Sequence, residues 1–196
     1  MDDAVREEIL DGTYRALCAH GYADLTIQDI AAETDRSKSL VHYYFESKGE
    51  LIDAFLTYLY DRYTDYIGEE RGETTRENLT SLLERLLDGD DSERLRTALL
   101  EVKAQAPYDE SIREHLVEFD AALFERLREL VAAGVESGEF DAAVDPSRTA
   151  ECLTAAVHGA RTQRTALGRR RYHADETLTE YVDTYLVADG GREAAH

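Results

Sequence analysis

Three helix-start signals follow one another closely in residues 26–48, TIQDIAAETDRSKSLVHYYFESK. Thr26 with Asp29 three residues later is typical of a capping box, in which each side chain accepts a hydrogen bond from the other residue's backbone N–H. Ser37 is suited to cap a second helix, and Ser47 with Glu50 three residues later predicts another capping box at the start of a third. The spacing therefore predicts short, separate helices and not one continuous helix.

Apolar residues between these caps are spaced to bury one face of each short helix. A turn at Thr34-Asp35-Arg36 separates the two faces. Two short helices joined by a turn of three or four residues form the outline of a helix-turn-helix, whose second helix enters the major groove of DNA. The sequence therefore predicts a DNA-binding element. The residues spaced for burial are Ile27, Ile30, Ala31, Val41, Tyr44 and Phe45.

This part of the chain resembles the DNA-binding domain of the TetR family of one-component regulators. The resembling stretch is GYADLTIQDIAAETDRSKSLVHYYFESKGELIDAF at residues 21–55, and the resemblance extends over about residues 5–56. It rests on the order of Gly-aromatic, Thr before Ile-Ala-Ala, Ser after the turn, Tyr-Phe, and a lysine three residues on. This chain has Leu40-Val41-His42 where the commonest family pattern is Thr-Leu-Tyr, and two of these positions change the polar groups available. Leu40 lacks the hydroxyl that would contact a phosphate, and His42 is a shorter donor than tyrosine.

Helical periodicity continues through the rest of the chain, interrupted by polar loops and two prolines. The sequence predicts an all-α protein of about nine helices, with a three-helix helix-turn-helix domain over 1–48 and a helical ligand-binding and dimerisation domain over 49–187. A helix over 49–67 connects the two, and residues 188–196 are expected to form a mobile tail. This count agrees with the TetR plan of three N-terminal and six C-terminal helices. The other long helices are predicted over about 3–19, 75–87, 92–106, 109–136, 146–167 and 175–187.

The charge of the chain is unusual for a DNA-binding protein. Asp and Glu number 42 against 22 Lys and Arg, which gives a formal net charge of −20. Such a chain should be repelled by DNA in dilute salt. Two explanations stay open: either nucleic acid is not the partner, or the protein works in concentrated salt, where charges are screened within about 3 Å at 1 M. Distributed acidic residues and the restriction of lysine to Lys38, Lys48 and Lys103 favour a halophilic origin.

The sequence also excludes several classes of protein. Since no apolar run approaches the roughly 18–20 residues that cross a bilayer, and the N-terminus is charged, a soluble cytoplasmic protein without a membrane partner is expected. Cys18 and Cys152 lie in apolar helical patterns, which predicts buried thiols in a reducing compartment, the alternative being a redox pair. The histidines are scattered and no catalytic, zinc or phosphate-binding motif occurs. The sequence therefore predicts no enzyme, no cofactor and no metal site.

The outward side chains of the predicted third helix are the candidates for reading DNA. Lys38 is the best candidate for a base contact, to the O6/N7 edge of a guanine. The TetR resemblance implies that Thr26, Tyr44 and Lys48 occupy positions that clamp the sugar-phosphate backbone. The alternative is that Lys38 and Arg36 are ordinary solvated charges and that Tyr44 belongs to the core. The candidate DNA-binding residues are Thr26, Arg36, Ser37, Lys38, Ser39, His42, Tyr43, Tyr44 and Lys48.

Two stripes near the C-terminus indicate a surface that pairs two copies of the chain. Small residues within 146–167 allow another helix to approach closely, and an aromatic-aliphatic stripe follows in the last helix. In the TetR family the two C-terminal helices form a four-helix bundle with their symmetry mates. The alternative is that these stripes only close the chain's own core. The candidate dimer-interface residues are Ala155, Ala156, Gly159, Ala160, Tyr181, Val182, Tyr185 and Leu186.

Polar and aromatic residues on the inner faces of helices four to eight are candidates for lining a ligand cavity. The alternative for each one is an ordinary core position or a satisfied hydrogen bond at the rim of the core. The basic cluster Arg161, Arg164 and Arg169–Arg171 either holds an anionic group of a ligand or pairs with acidic residues of the same or the partner subunit. The candidate pocket residues are Tyr63, Tyr66, Glu101, Gln105, His115, Phe119, His158 and Arg161.

Together with the resemblance, these features predict a ligand-responsive transcriptional regulator. A two-fold homodimer presents two identical helix-turn-helix elements, each of which is called a reader below. The expected partner is therefore double-stranded DNA with a palindromic operator. Members of the TetR family are most often repressors that a small molecule releases from DNA. The alternative from another class is a binding module that keeps the fold, takes a small molecule or a protein, and no longer binds a specific operator.

Overall fold

The computed structural model of the protein describes residues 2–34, 36–88, 93–168 and 173–188. Within these residues the chain forms nine α-helices, one short π-helical turn and no β-strand, which confirms the predicted all-α class. Among the described helices, none combines the length and the apolar character that a bilayer crossing needs. Residues 189–196 of the predicted tail lie outside the described residues. The helices are α1 (Asp2–Asp24), α2 (Ile27–Glu33), α3 (Lys38–Tyr44), α4 (Lys48–Gly68), α5 (Thr75–Asp88), α6 (Glu93–Gln105), α7 (Glu110–Ser137), α8 (Pro146–Leu167) and α9 (Ala174–Tyr181).

The first of two compact units comprises Met1–Tyr63 and Asp91–Phe119. It contains the three N-terminal helices, α6, and the N-terminal parts of α4 and α7. Compactness therefore groups α6 with the helix-turn-helix, whereas the domain boundary predicted at residue 48 separates them. The core of this unit includes the buried residues Ile9, Leu10, Leu17, Leu25, Ile30, Val41, Phe45, Leu51, Phe55, Ala98, Val102 and Ile112.

The apolar spacing of the helix-turn-helix predicted most of its buried faces. Ile30 of α2 and Val41 of α3 are fully buried, and Phe45 follows α3 as a buried C-cap. Tyr44, predicted to share this stripe, is half-buried and packs against the core of this unit. Its ring also lies edge-on against the exposed ring of Tyr43, with 5.4 Å between the centroids.

The predicted helix starts of the helix-turn-helix are present. The Thr26 Oγ1 accepts from the Asp29 N–H, and the Asp29 carboxylate accepts from the Thr26 N–H at 2.9 Å, which confirms the capping box. The Ser37 Oγ caps α3 by accepting from the Leu40 N–H. The third helix start differs from a capping box in one hydrogen bond. The Ser47 Oγ accepts from the Glu50 N–H, but the Glu50 carboxylate accepts from the Glu46 N–H and not from the Ser47 N–H.

The second compact unit comprises Thr64–Asp90 and Asp120–His196. Two largely buried arginines bind the last carbonyls of α4 here: Arg85 donates to the Tyr66 carbonyl at 2.9 Å, and Arg126 donates to the Ile67 carbonyl at 3.1 Å. Cations at a helix C-terminus satisfy carbonyls that lack an intrahelical partner. The core includes the buried residues Leu79, Leu82, Leu83, Leu123, Leu127, Val131, Phe140, Leu153, Val157, Val182 and Leu186.

The last predicted helix, over about 175–187, does not stay α-helical to its end. After α9 the chain continues as a π-helical turn over Val182–Leu186. The end of this turn and the residue after it pair with the 139–141 segment, where the Asp141 N–H donates to the Leu186 carbonyl at 2.8 Å and Phe140 forms a bridge with Val187. Val182 and Leu186 both face the core.

The two cysteines differ in their surroundings. Cys18 is half-buried and Cys152 is exposed, and neither forms a disulfide in the described part of the chain. The prediction of a buried thiol is therefore wrong for Cys152. Its helical pattern was interpreted correctly, but it lies on the face of α8 that the chain itself leaves uncovered, next to the exposed Ala155.

Candidate nucleic-acid interface

The outer face of α3 carries polar and aromatic side chains that no other element covers. Val41 points into the core, and this orientation turns the opposite side of the helix to solvent. Tyr43 is 78% exposed, which is unusual for a large aromatic ring that serves no contact. Among the described residues, no carboxylate lies within 4 Å of the Lys38 ammonium. The exposed candidates of this face are Ser37, Lys38, Ser39, His42 and Tyr43.

Arg36, another candidate DNA contact, is bound to α1 in a two-pronged ion pair. Its Nη2 lies 2.7 Å from Oε2 of Glu8, and its Nε donates to Oε1 at 3.1 Å. The hydrogen bonds raise the pKa of Arg36 and lower the pKa of Glu8. Since Glu8 balances its charge, Arg36 contributes to the orientation of the turn between α2 and α3 more than to a free positive potential. Its DNA contact stays a prediction.

Lys48 also makes an internal contact. Its Nζ donates to the Tyr22 carbonyl at 2.8 Å and lies 4.7 Å from the centroid of the Tyr22 ring. Burial lowers the pKa of Lys48, and the nearby Asp24 opposes this shift. The ammonium keeps two further N–H donors after this bond. The contact holds the start of α4 against the end of α1, and the predicted phosphate clamp remains untested.

The hydroxyl of Thr26 is occupied within its own helix cap. Besides accepting from the Asp29 backbone, it donates to the Asp29 carboxylate at 2.5 Å. These bonds lower the pKa of Asp29, which remains an anion beside the proposed interface. Thr26 therefore caps α2, and its predicted phosphate contact would compete with Asp29 for the hydroxyl proton.

The candidate ligand residues do not lie together in one compact unit. Tyr63, Glu101, Gln105, His115 and Phe119 belong to the first unit, and Tyr66, His158 and Arg161 belong to the second. Two surface hollows of about 360 and 350 Å³ lie in the second unit, on acidic surfaces that include Glu84 and Glu139. None of the eight candidates lines either hollow.

Several of the candidate ligand residues contact other side chains or backbone groups of the chain. His115 Nε2 lies 2.9 Å from Oδ1 of Asp53, which links α7 to α4. Phe119 packs against the ring of Tyr63 at 5.3 Å between centroids. His158 Nε2 lies 2.9 Å from a carboxylate oxygen of Asp120.

Tyr66, Gln105 and the members of the basic cluster differ in their surroundings. The Arg85 guanidinium lies over the ring of Tyr66. Arg164 donates to the Leu87 carbonyl, which gives this member of the cluster a helix-capping role. Residues 169–171 lie outside the described residues. Gln105 and Arg161 are half-buried, and their ligand roles stay predictions.

The candidate dimer face divides into outward and inward residues. Ala155, Gly159 and Tyr185 are exposed, and Tyr185 packs on the half-buried ring of Tyr181 at 5.3 Å between centroids. Ala156 and Ala160 are half-buried. Val182 and Leu186 are wrong as interface residues, because the chain's own core covers them completely.

Cys152 belongs to this outward surface, although the sequence analysis did not include it. Burial raises the pKa of Tyr181, and the neighbouring Cys152 adds to that shift, so the thiol lies close to the tyrosine pair. Its i, i+3 spacing to Ala155 was the available signal.

Comparison with known proteins agrees with this architecture. The family model for bacterial regulatory proteins of the tetR family matches residues 9–55, and that for the C-terminal domain of BetI-type transcriptional repressors matches residues 75–187. The chain belongs to the TetR family. It is therefore a transcriptional regulator and not an enzyme, as the sequence predicted.

Similar proteins support the same assignment. The crystal structure of a TetR transcription regulator from Haloarcula marismortui is 37% identical, with 95% of this chain and 100% of that chain covered and a TM-score of 0.85. A putative TetR-family regulator from Rhodococcus sp. is 29% identical, with 91% and 96% covered and a TM-score of 0.73. The HTH-type transcriptional repressor AcnR of Corynebacterium glutamicum is 22% identical over 134 residues, 68% of each chain.

Proposed function

We propose that this TetR-family regulator is a repressor that binds a palindromic operator as a homodimer and is released by a small molecule. The observation that carries the proposal is the outer face of α3, where Lys38, His42 and the 78% exposed Tyr43 stand together on a helix that two caps hold in place. A helix with one buried side and one polar, uncovered side is suited to insertion into a major groove.

Base reading falls to a small number of side chains on this surface. Lys38 reaches the O6/N7 edge of a guanine as a point charge, while Ser39 and His42 supply shorter donors. Tyr43 offers an apolar ring edge for contact with sugars or a thymine methyl group. Thr26, Tyr44 and Lys48 are the proposed backbone-positioning residues. Such contacts fix the register of the reader without carrying sequence information.

The dimer is proposed to form through the outward faces of α8 and α9. Ala155 and Gly159 present backbone-level surface to a partner helix, and Tyr185 adds an aromatic side chain that is 68% exposed in the single chain. A two-fold axis through this face would make the same residues meet on both subunits. Two readers related by that axis require an operator with the same symmetry.

Repression, but not release, is supported by the descriptions of the relatives. The family model that covers most of the C-terminal region describes transcriptional repressors, and the curated relative is named a repressor. Release requires an effector that binds the geometry unable to span two major grooves more tightly than the geometry that binds DNA. An effector with equal affinity for both geometries would shift nothing.

The decisive experiment is a gel shift with DNA from the protein's own upstream region, run in molar potassium chloride. The expected result is one sequence-specific complex containing two subunits. Lys38→Ala should weaken specific binding about 5- to 150-fold for each of the two readers, the loss expected for one base-reading contact per subunit. Lys103→Ala is the matched control, since it removes the same charge from an exposed position on α6.

The alternative is a binding module that has lost its operator. Leu40, which lacks a hydroxyl for a phosphate, and the net charge of −20 favour that alternative. An intact dimer in sedimentation equilibrium that forms no sequence-specific complex, even with operators selected from random DNA, would support it and refute the repressor.

A further inference from the structure

Glu101 of α6, a candidate pocket residue, binds the backbone at the end of α1. Its Oε2 accepts from the Tyr22 N–H at 2.6 Å and lies 3.4 Å from the Ala23 N. Both partners belong to the same compact unit as Glu101. A carboxylate that accepts from a peptide N–H forms one of the stronger hydrogen bonds in proteins. The contact therefore fixes α6 to the segment that leads into the helix-turn-helix.

Gly21, the residue before Tyr22, leaves room for this contact. Gly21 has φ 75° and ψ 174°, a conformation in which any side chain would be strained. A Cβ at this position would also lie 2.8 Å from Oε2 of Glu101. Position 21 therefore requires glycine for two reasons: the backbone has a positive φ, and the carboxylate of Glu101 occupies the space that a Cβ would need.

Both hydrogen-bonding groups of the Tyr22 peptide unit are held from outside α1. Glu101 binds its N–H, and Lys48 at the start of α4 binds its carbonyl at 2.8 Å. Burial raises the pKa of Tyr22, and the charge of Asp109 adds to the shift, so the corner between α6 and α7 also faces this ring. Tyr22 thus joins the elements before, after and beside the DNA-reading helices.

The position of Tyr22 bears directly on the reader. Three residues after it, Leu25 is buried in the core, and Thr26 then caps α2. A displacement of Tyr22 therefore reaches α2 through a short segment anchored in the core. Lys48, which binds the Tyr22 carbonyl, lies shortly after α3 in the chain. The same displacement of Tyr22 therefore also acts on the C-terminal end of α3.

We propose that Glu101 is a positioning residue of the DNA interface, through which α6 sets the orientation of α2 and α3. The inference rests on the proposed operator binding and adds a route for its regulation. A shift of α6 that withdraws the carboxylate leaves the half-buried Tyr22 N–H without its acceptor and loosens the segment that precedes α2.

Four variants test this role by separating the effect of the length of the side chain, its reach, from the effect of its charge. Glu101→Ala removes the acceptor, Glu101→Gln keeps the reach and loses the charge, and Glu101→Asp keeps the charge and loses the reach. Glu114→Gln is the matched control, because Glu114 is exposed on α7 and the variant makes the same charge change. For each folded variant, affinities for the selected operator and for random DNA are measured in the same molar potassium chloride.

The readout is the ratio of specific to non-specific affinity, because a loss of folding stability alone does not change this ratio in folded protein. Glu101→Ala should lower the ratio about tenfold, a loss typical of a hydrogen bond to a charged group. Glu101→Gln should recover most of it, Glu101→Asp should not, and Glu114→Gln should match the wild type. Hydrogen exchange at the Tyr22 and Ala23 amides should accelerate in the Ala and Asp variants only.

Two outcomes overturn the inference while leaving operator binding intact. One is a wild-type ratio in Glu101→Ala with only a lower melting temperature. The other, which also applies if Glu101→Ala does not fold, is an Asp variant that binds as specifically as the Gln variant. A wild-type protein without any specific complex refutes the proposed function itself, and the positioning role falls with it.

Discussion

The weak electrostatics of the reader should give operator binding an unusually shallow dependence on salt. Within residues 36–48 the cations are Arg36, Lys38 and Lys48. Glu8 balances the charge of Arg36 at 2.7 Å, whereas the described structure shows no carboxylate within 4 Å of Lys38 or Lys48. Each reader therefore brings two cations without a salt bridge in the described structure, Lys38 in the groove and Lys48 at the backbone, and a dimer brings about four, each counted as releasing the counterion of one phosphate.

This count sets the magnitude of the effect. The logarithm of the affinity falls with the logarithm of the salt concentration with a slope of about −0.9 for each phosphate neutralised. Four cations give a slope of about −3.6, so a rise from about 0.5 to 2 M potassium chloride should weaken binding about 150-fold. A basic repressor with about eight phosphate contacts would lose on the order of 10⁴-fold over the same range.

The measurement is fluorescence anisotropy of a labelled operator, titrated with protein at several potassium chloride concentrations. Lys38→Ala should reduce the magnitude of the slope by about 1.8, since it removes one cation from each reader. Lys103→Ala should leave the slope unchanged, because Lys103 lies outside the interface on α6.

A wild-type slope of about −6 or steeper would refute this reasoning, because it requires more phosphate contacts than the reader supplies. Cations from elsewhere in the dimer would then have to reach the DNA. A slope that Lys38→Ala leaves unchanged would instead remove Lys38 from the interface.

Three further predictions concern the fold around the sites. Gly134→Ala should lower the free energy of unfolding by about 1–3 kcal/mol in urea titrations, because the new Cβ would lie 2.2 Å from the Phe140 ring; no loss would mean that the ring moves freely. Thr26→Ala should cost about 1 kcal/mol by calorimetry through loss of the α2 cap, and an unchanged melting temperature would contradict this. Hydrogen bonds lower the pKa of Asp53, so its stabilising contribution is lost as pH falls below the ordinary aspartate value of about 3.9. Asp53→Asn should therefore make the melting temperature fall less steeply in that acidic range, and an equally steep fall would count against the contact.

Local signals in the sequence were sufficient to predict most of the fold. Caps such as Thr26 with Asp29 act over three or four residues, and apolar spacing marks which side of a helix is buried. Gly21 takes a positive φ, a conformation that glycine adopts without strain. The helix in the structure continues beyond this kink to Asp24. This continuation could not be predicted, because nothing in the local sequence shows where helical turns resume.

Contacts between distant residues could not be predicted in the same way. A carboxylate on an apolar helix face, such as that of Glu101, does not reveal that a peptide N–H 79 residues away will meet it. Val182 and Leu186 looked like interface residues because a stripe does not say which of two surfaces covers it. The Arg36–Glu8 pair depends on how α1 crosses the turn, and the local sequence does not encode that crossing.

The bond between Glu101 and Tyr22 also bears on how such regulators can be recombined. The two matched family models end at residue 55 and begin at residue 75, so an exchange of the DNA-binding part between them looks like the transplant of an independent module. Yet Tyr22 and Glu101 fall on opposite sides of that junction. A chimera joined there would inherit a foreign α6 against its own α1 and lose the acceptor fitted to Gly21. The smallest exchangeable piece is therefore discontinuous in sequence, and a working graft would have to carry α6 with the reader.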